Sequence, residues 1–367
     1  MSFAMNSFKK PIYLCMSFIA LLAGCAAPQQ KPDADNAIYW PEPPAPPRFV
    51  HVATLISETS IKPVTMEDRF RKALTGEREV PRIFSKPFGV AAKNGLVVVG
   101  DTVQRRCFIF NLQRKKVYPL GVAGREGVLA KPLGIAIGAN SEIYVADASA
   151  KRVYVYDAFG MYLRSIGERG ELDRPTDVAV TPDGKRVYVV DTGGIDSLRH
   201  RVVAFSAEGE KLFEFGRRGL KAGEFNLPTQ VSVAPNGEII VLDAGNFRVQ
   251  VFTAEGRYQR SWGRVGRAFG DFARPRGLAV DADGNVYVSD TLFRNVQVFN
   301  PKGELLLAIG GDQKKDKPGT LAMPAGVAID ELQNVYIVDQ FFKKVEVLHR
   351  LQASEIEAIV TKRKGAG

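Results

Sequence analysis

At 367 residues the chain exceeds one ordinary hydrophobic core, which stops growing near roughly 250–300 residues, so two domains or a repeat array are expected. Hydrophobic residues at 45% and charged residues at 25% are those of a folded globular protein. A net charge of +10 points to an anionic partner, and three cysteines are too few for a disulfide scaffold.

The first element in chain order is an address. Residues 1–24 carry Lys9 and Lys10, then an apolar run ending in small residues, which is the layout of a secretory signal. The run is too short to span a bilayer, which takes about 20 apolar residues. Its end, Leu22-Ala23-Gly24-Cys25, resembles the lipobox of bacterial lipoproteins. That resemblance implies cleavage before Cys25 and acylation of its thiol with palmitate-type chains, each buried CH₂ adding about 0.8 kcal/mol of membrane affinity. Cys15 would leave with the signal, so Cys107 would have no intramolecular partner. Loss of Lys9 and Lys10 leaves a charge of +8 outside the cytoplasm (10 − 2), which argues against nucleic acid as the partner. The same resemblance implies, by the sorting preference of lipoproteins, that Ala26 rather than Asp after Cys25 favours the outer membrane over the inner. Residues 25–47, polar and then Pro-rich, read as a tether stiffened toward polyproline II at 41–47.

"RFVHVATL" (48–55) reads as a strand standing before the repeats, and "TMEDRFRKALTGE" (65–77) as a short helix with Thr65 as cap and Gly76 as stop. The helix is expected to pack over one face of the domain. From residue 86 one sentence recurs, opening at Pro87, Pro132, Pro175, Pro228, Pro275 and Pro324. Each unit runs to an apolar strand ending in Asp101, Asp147, Asp191, Asp243, Asp290 or Asp339, about 48 residues apart. Apolar alternation and DG, NG and EG turns mark four strands per unit, with no helical period. Stacked four-stranded sheets cover one another's faces only in a ring, so the reading is an all-β, six-bladed propeller over residues 48–351. The sixth unit lacks a fourth strand. Residues 48–55 fill that slot, with "SEIEAIV" (354–360) the competitor, and 352–367 form a tail. A closed ring of this kind is expected to be monomeric.

The pattern P-x-G-(V/I/L)-A-(V/I)…G-x-(V/I)-Y-V-x-D…R-V-x-V-F…G resembles the NHL repeat over residues 86–351, and the whole layout resembles envelope lipoproteins built as six-bladed NHL propellers. Some such proteins are linked with multihaem cytochromes, which implies an electron-transfer or export complex as one setting.

Features present in every blade are structural by this internal control. The six aspartates are expected to accept backbone N–H bonds at a turn, braced by Arg106, Arg152, Arg201, Arg248 and Lys344, with Asn295 in the fifth unit. Antiparallel strands place the second-to-third and fourth-to-first connections at one end. That end collects Arg152, Arg217, Arg218, Lys221, Arg248, Arg264 and Arg267, with Arg105, Lys151, Arg274 and Lys314–Lys317 nearby. The opposite turns read as neutral or acidic. Departures from the repeat concentrate elsewhere: the Gly opening the innermost strand becomes Asp177 and Gln230, with Thr176, Thr229 and Arg276 beside the same position. These five are expected at the channel mouth as a ligand site. Blade three also carries an insertion after Asp191, "TGGIDSLRHR".

Catalytic signatures are lacking. Three histidines have no metal spacing and the innermost strands carry none, unlike the propeller lyases with a histidine-bound metal. Only Asp177 matches the acid set of related lactone hydrolases. "DADGN" (281–285) lacks the Gly and the acid of a calcium loop, and no G-x-S-x-G or C-x-x-C-H occurs. No catalytic residue, metal or cofactor is assigned. The leading expectation is a membrane-anchored, non-catalytic scaffold docking an envelope protein or anionic polysaccharide through its basic end. The alternative is a small-ligand receptor, or an enzyme of hydrolase or lyase type, using the channel mouth.

Overall fold

Each repeat folds as four antiparallel strands, and six such blades surround a central channel in the computed structural model of the chain. The structure describes residues 37–63, 65–75, 82–121, 124, 126–194, 196–311 and 315–365. Cys25, the signal segment and Gly76 therefore lie outside the described residues. Pro opens every innermost strand (Pro87–Lys93, Pro132–Ile137, Pro175–Val180, Pro228–Val233, Pro275–Val280 and Pro324–Ile329). The position suits it, because the channel-side edge pairs with nothing and a missing N–H costs no ladder bond. Second strands such as Leu96–Asp101 are buried along their whole length, being covered by neighbouring blades on both faces.

The core lies between blades. Val98 and Ile109 of blade one pack with Ile143 and Tyr156 of blade two, and like clusters fill the other boundaries. Each fully buried Val or Ile contributes about 1.5–3 kcal/mol. Free Cys107, fully buried in this layer, behaves as a small apolar residue, and burial pushes its thiol pKa up. Phe225 and Phe272, both fully buried, fill the gaps below the connections entering blades four and five. A Cβ on Gly216, whose φ is +86°, would lie 2.3 Å from the Phe225 ring.

Phe49–Leu55 pairs with Lys344–Arg350, so residues about 295 apart in sequence close the ring. The seam is polar inside. The buried Glu346 carboxylate accepts from His51 (2.8 Å) and Thr54 (2.7 Å) and contacts Lys344 Nζ at 2.5 Å. Burial works against its charge, but these partners outweigh it and hold the carboxyl below the usual glutamate range.

Three expectations change. Tyr39–Trp40 pairs with Phe49–Val50 as a fifth strand of blade six, so the end of the supposed tether belongs to the sheet. Trp40 supplies the reason, burying its ring with Leu321, Ile309 and Phe49. The segment 354–360 is helical within Ala353–Gly365 and does not compete for the seam, which is already filled. The helix Met66–Thr75 forms, but Met66, Phe70 and Leu74 stand exposed at 66–79% and do not pack, because the blades have closed on their own strands.

Candidate docking end and channel

The turn aspartates show how each blade end is organised. Asp101 accepts from the backbone N–H groups of Ser85, Lys86, Val103 and Gln104, and Asp147 from the four equivalent groups. A carboxylate holding four such bonds needs no cation. The expected Arg brace accordingly appears in only two blades among the described residues, Arg201–Asp191 (3.1 Å) and Arg248–Asp243 (2.9 Å). There the turn departs from the repeat and supplies fewer N–H donors. Burial raises the Asp243 pKa against the bonds from Asn226, Asn246 and Arg248. Lys344 turns instead to Asp316 and Glu346.

The channel is walled by Val, Ala and Ile of the innermost strands and holds a cavity of about 520 Å³. It narrows where the third residues of those strands meet the next blade. A Cβ on Gly89 would sit 1.9 Å from the Leu133 carbonyl oxygen, and one on Gly277 2.1 Å from that of Ala325. Glycine is therefore a packing requirement. Asp177 occupies this position in blade three by resting on Gly134 and accepting from the Val231 N–H at 2.8 Å. Burial pushes its carboxyl up to about 8, although the Val231 and Val178 N–H groups favour the ionised form.

Of the five mouth residues, Asp177 and Gln230 line this cavity, while Thr176, Thr229 and Arg276 do not. Gln230 donates to the Thr229 carbonyl (3.1 Å). Thr176 is buried against Thr192 (2.6 Å), whose hydroxyl donates to the Pro228 carbonyl of the next blade. The Thr229 hydroxyl is buried with no hydrogen-bond partner among the described residues. Arg276 is half-buried, and its pKa is lowered by that burial and by Arg274.

The basic end is assembled as the connections require. Arg248 donates to the carbonyls of Lys221 and Glu224, and Asn246 to that of Gly219, which joins the second-to-third turn of blade four to the crossover entering it. The seven residues singled out there divide sharply. Arg217 pairs with Glu224 and Arg264 with Asp271, each at 2.9 Å, and Arg248 is taken up by Asp243. Arg218 stands exposed with its backbone bridged to Phe225. Arg152, Lys221 and Arg267 make no side-chain hydrogen bond or ion pair among the described residues, although Lys221 lies close enough to Glu224 to favour its charge.

Other cations carry the end's free charge. Lys86, Lys131, Arg174 and Arg274 stand immediately before the opening Pro of four blades, all exposed around the axis. Arg105, Lys151 and Lys343 occupy the left-handed position of the second-to-third turns, with φ of 56°, 58° and 53°. None of these seven makes a side-chain hydrogen bond or ion pair among the described residues. Lys86, Lys131 and Arg174 were legible as the basic residue of each K/R-Pro opening, a letter that serves to align the repeats and is easily passed over. Between the cations stand exposed apolar tips: Val103 (61%), Leu292 (66%) and Phe341 (63%), each two residues beyond the turn aspartate. At the opposite end, Arg164 pairs with Glu142 and Arg260 with Glu238, riveting turn to turn. The exposed Arg114, Lys115 and Lys116 of blade one are an exception to the neutral or acidic character expected there. Among the described residues no cluster of three His, Cys, Asp or Glu side chains could hold a metal, and no helix is long and apolar enough to cross a membrane.

The NHL repeat profile matches residues 225–252 and 272–299, the first three strands of blades four and five. The chain carries NHL repeats. Protein brain tumor of Drosophila melanogaster is 29% identical over 122 residues, 32% of this chain, and the match spans 11% of that relative's length. Among solved structures, a gluconolactonase from Xanthomonas campestris superposes with a TM-score of 0.56 at 18% identity, over 73% of this chain and 87% of that one. A streptogramin B lyase gives 0.54 at 13% identity over 73% and 94%. Hydrazine synthase of Kuenenia stuttgartiensis gives 0.52 at 14% identity over 74% and 97%. At these identities the likeness establishes the shared propeller fold and nothing about chemistry.

Proposed function

We propose that this NHL propeller is a non-catalytic scaffold, anchored to the bacterial envelope through lipidated Cys25, that docks an anionic protein or glycan on its basic end. The observation that carries the reading is the mixture on that end: unpaired Lys and Arg interleaved with exposed Val103, Leu292 and Phe341. Arg beside exposed apolar side chains is what recognition surfaces present, whereas solvated charge alone needs no apolar tips. The arrangement supports a partner larger than the channel could admit, because Asp177 and Gln230 are engaged with neighbouring backbone.

Retention on immobilised poly-L-glutamate tests this. Wild type should be retained and released by salt, as exposed charge requires. Lys86→Glu/Arg105→Glu/Arg274→Glu should abolish retention, and Arg114→Glu/Lys115→Glu/Lys116→Glu at the other end should leave it. Equal loss in both variants would overturn the assignment to one end. Anchoring is tested separately by Cys25→Ser, which should move the protein from the membrane to the soluble fraction.

A further inference from the structure

Between blades two and three the basic end opens into a cleft of about 380 Å³, lined by Lys131, Ser149, Lys151, Asp173, Arg174 and Gly194 among others. Lys131 and Arg174 are the residues before the opening prolines of the two blades, Ser149 and Lys151 come from blade two's turn, and Gly194 from the insertion in blade three. Three cations thus face one space. At three other places on this end a cation beside a crossover is met by an acid: Arg217 by Glu224, Arg264 by Asp271, Lys344 by Asp316, each at 2.9 Å. In this cleft the acid is missing. Asp173, the one carboxylate in its wall, is turned toward Arg199 at 3.5 Å. Asp147 lies fully buried beneath, saturated by four backbone N–H groups. Gly194 leaves the mouth open, since a Cβ there would meet nothing within 4 Å.

We infer that this cleft is an oxyanion seat that takes a carboxylate or phosphate group of the docked partner. The inference deepens the docking reading and depends on it for the larger partner. An Arg fork with two Lys ammonium groups suits either oxyanion, because the fork gives paired donors and the ammonium groups give point charge. Three like charges around one cleft repel each other until an anion enters.

The test is calorimetric titration of the full chain with inorganic phosphate and with succinate, at low ionic strength. The expected result is saturable one-to-one binding of at least one of them, and the one that binds names the group. Lys131→Gln/Arg174→Gln should weaken it at least tenfold. Gly194→Glu, whose added Cβ would meet nothing within 4 Å, brings an acid to the cleft and should do the same while leaving the thermal midpoint unchanged. No saturable binding of either anion, or binding that survives Gly194→Glu, overturns the seat. The two proposals fail separately: retention on poly-L-glutamate lost in Lys86→Glu/Arg105→Glu/Arg274→Glu but no phosphate or succinate binding leaves the docking end and removes the seat. Anion binding with retention intact in that triple variant does the reverse.

Discussion

Asp177→Asn gives the sharpest test of how the propeller's throat is built. Burial pushes the carboxyl up to about 8 in the folded protein against an ordinary value of 3.8, because the 6%-exposed side chain is largely withdrawn from water against Gly134 and Val231. A folded pKa above the unfolded one means that the stabilising contribution is complete below about pH 4 and is lost as pH rises toward about 8. Each pH unit in that window costs about 1.4 kcal/mol, so between about pH 5 and pH 7.5 the wild type should lose about 3 kcal/mol through this one group. Asparagine is neutral throughout, and its carbonyl can still accept from the Val231 N–H. Urea denaturation of both proteins at the two pH values measures the difference directly. Asp177→Asn should be the more stable protein at the higher pH, with the gap shrinking by about 3 kcal/mol at the lower one. Identical pH dependence in the two proteins would refute the argument that a buried, isolated carboxyl sits at this position.

Other substitutions follow from the same packing. Gly134→Ala should cost more than about 2 kcal/mol, since its Cβ would lie 2.0 Å from Asp177 Oδ1 and 2.4 Å from the Asp177 Cα, and a lowered thermal midpoint would show it. Phe225→Ala should lose about 3–5 kcal/mol by opening the boundary of blades three and four, read as a lower urea midpoint. Trp40→Ala should also lower the midpoint, because Tyr39–Trp40 is part of blade six; an unchanged midpoint would return residues 39–40 to the tether. Arg217→Gln and Arg264→Gln should leave retention on poly-L-glutamate almost unchanged, as Glu224 and Asp271 already neutralise those cations.

The blades were readable because their signals repeat. Six Pro openings and six turn aspartates state the strand order redundantly, and Phe49–Leu55 was identifiable as the closing strand because blade six was one strand short. The fifth strand at Tyr39–Trp40 leaves no signal in the sequence, since a two-residue strand has no periodicity and sits in a Pro-rich run. Ala353–Gly365 was ambiguous in the same way: "SEIEAIV" suits a strand, and only the occupied seam decides against it. Among the site residues, the sign of a charge is written in the sequence but its partner is not. Nothing in "GRRGLKAGEF" says that Glu224 folds back on Arg217, whereas the Lys before Pro132 has no acid to meet. The channel departures at Asp177 and Gln230 were visible as broken glycines. The bond Asp177 accepts from Val231 depends on a blade-to-blade distance that no single repeat encodes, whereas Gln230 turns onto the carbonyl of its own neighbour Thr229.

If free cations on one end hold a partner, cross-linking in intact cells of the source organism should capture it. Wild type, Lys86→Glu/Arg105→Glu/Arg274→Glu and Asp177→Asn would be cross-linked, purified and analysed by mass spectrometry for the linked peptides. A partner attached through Lys131, Lys151 or Lys221 is expected in the wild type and in Asp177→Asn, and should be lost in the triple variant. A partner retained by the triple variant, or lost on changing Asp177, would contradict docking on that end and move the function to the channel.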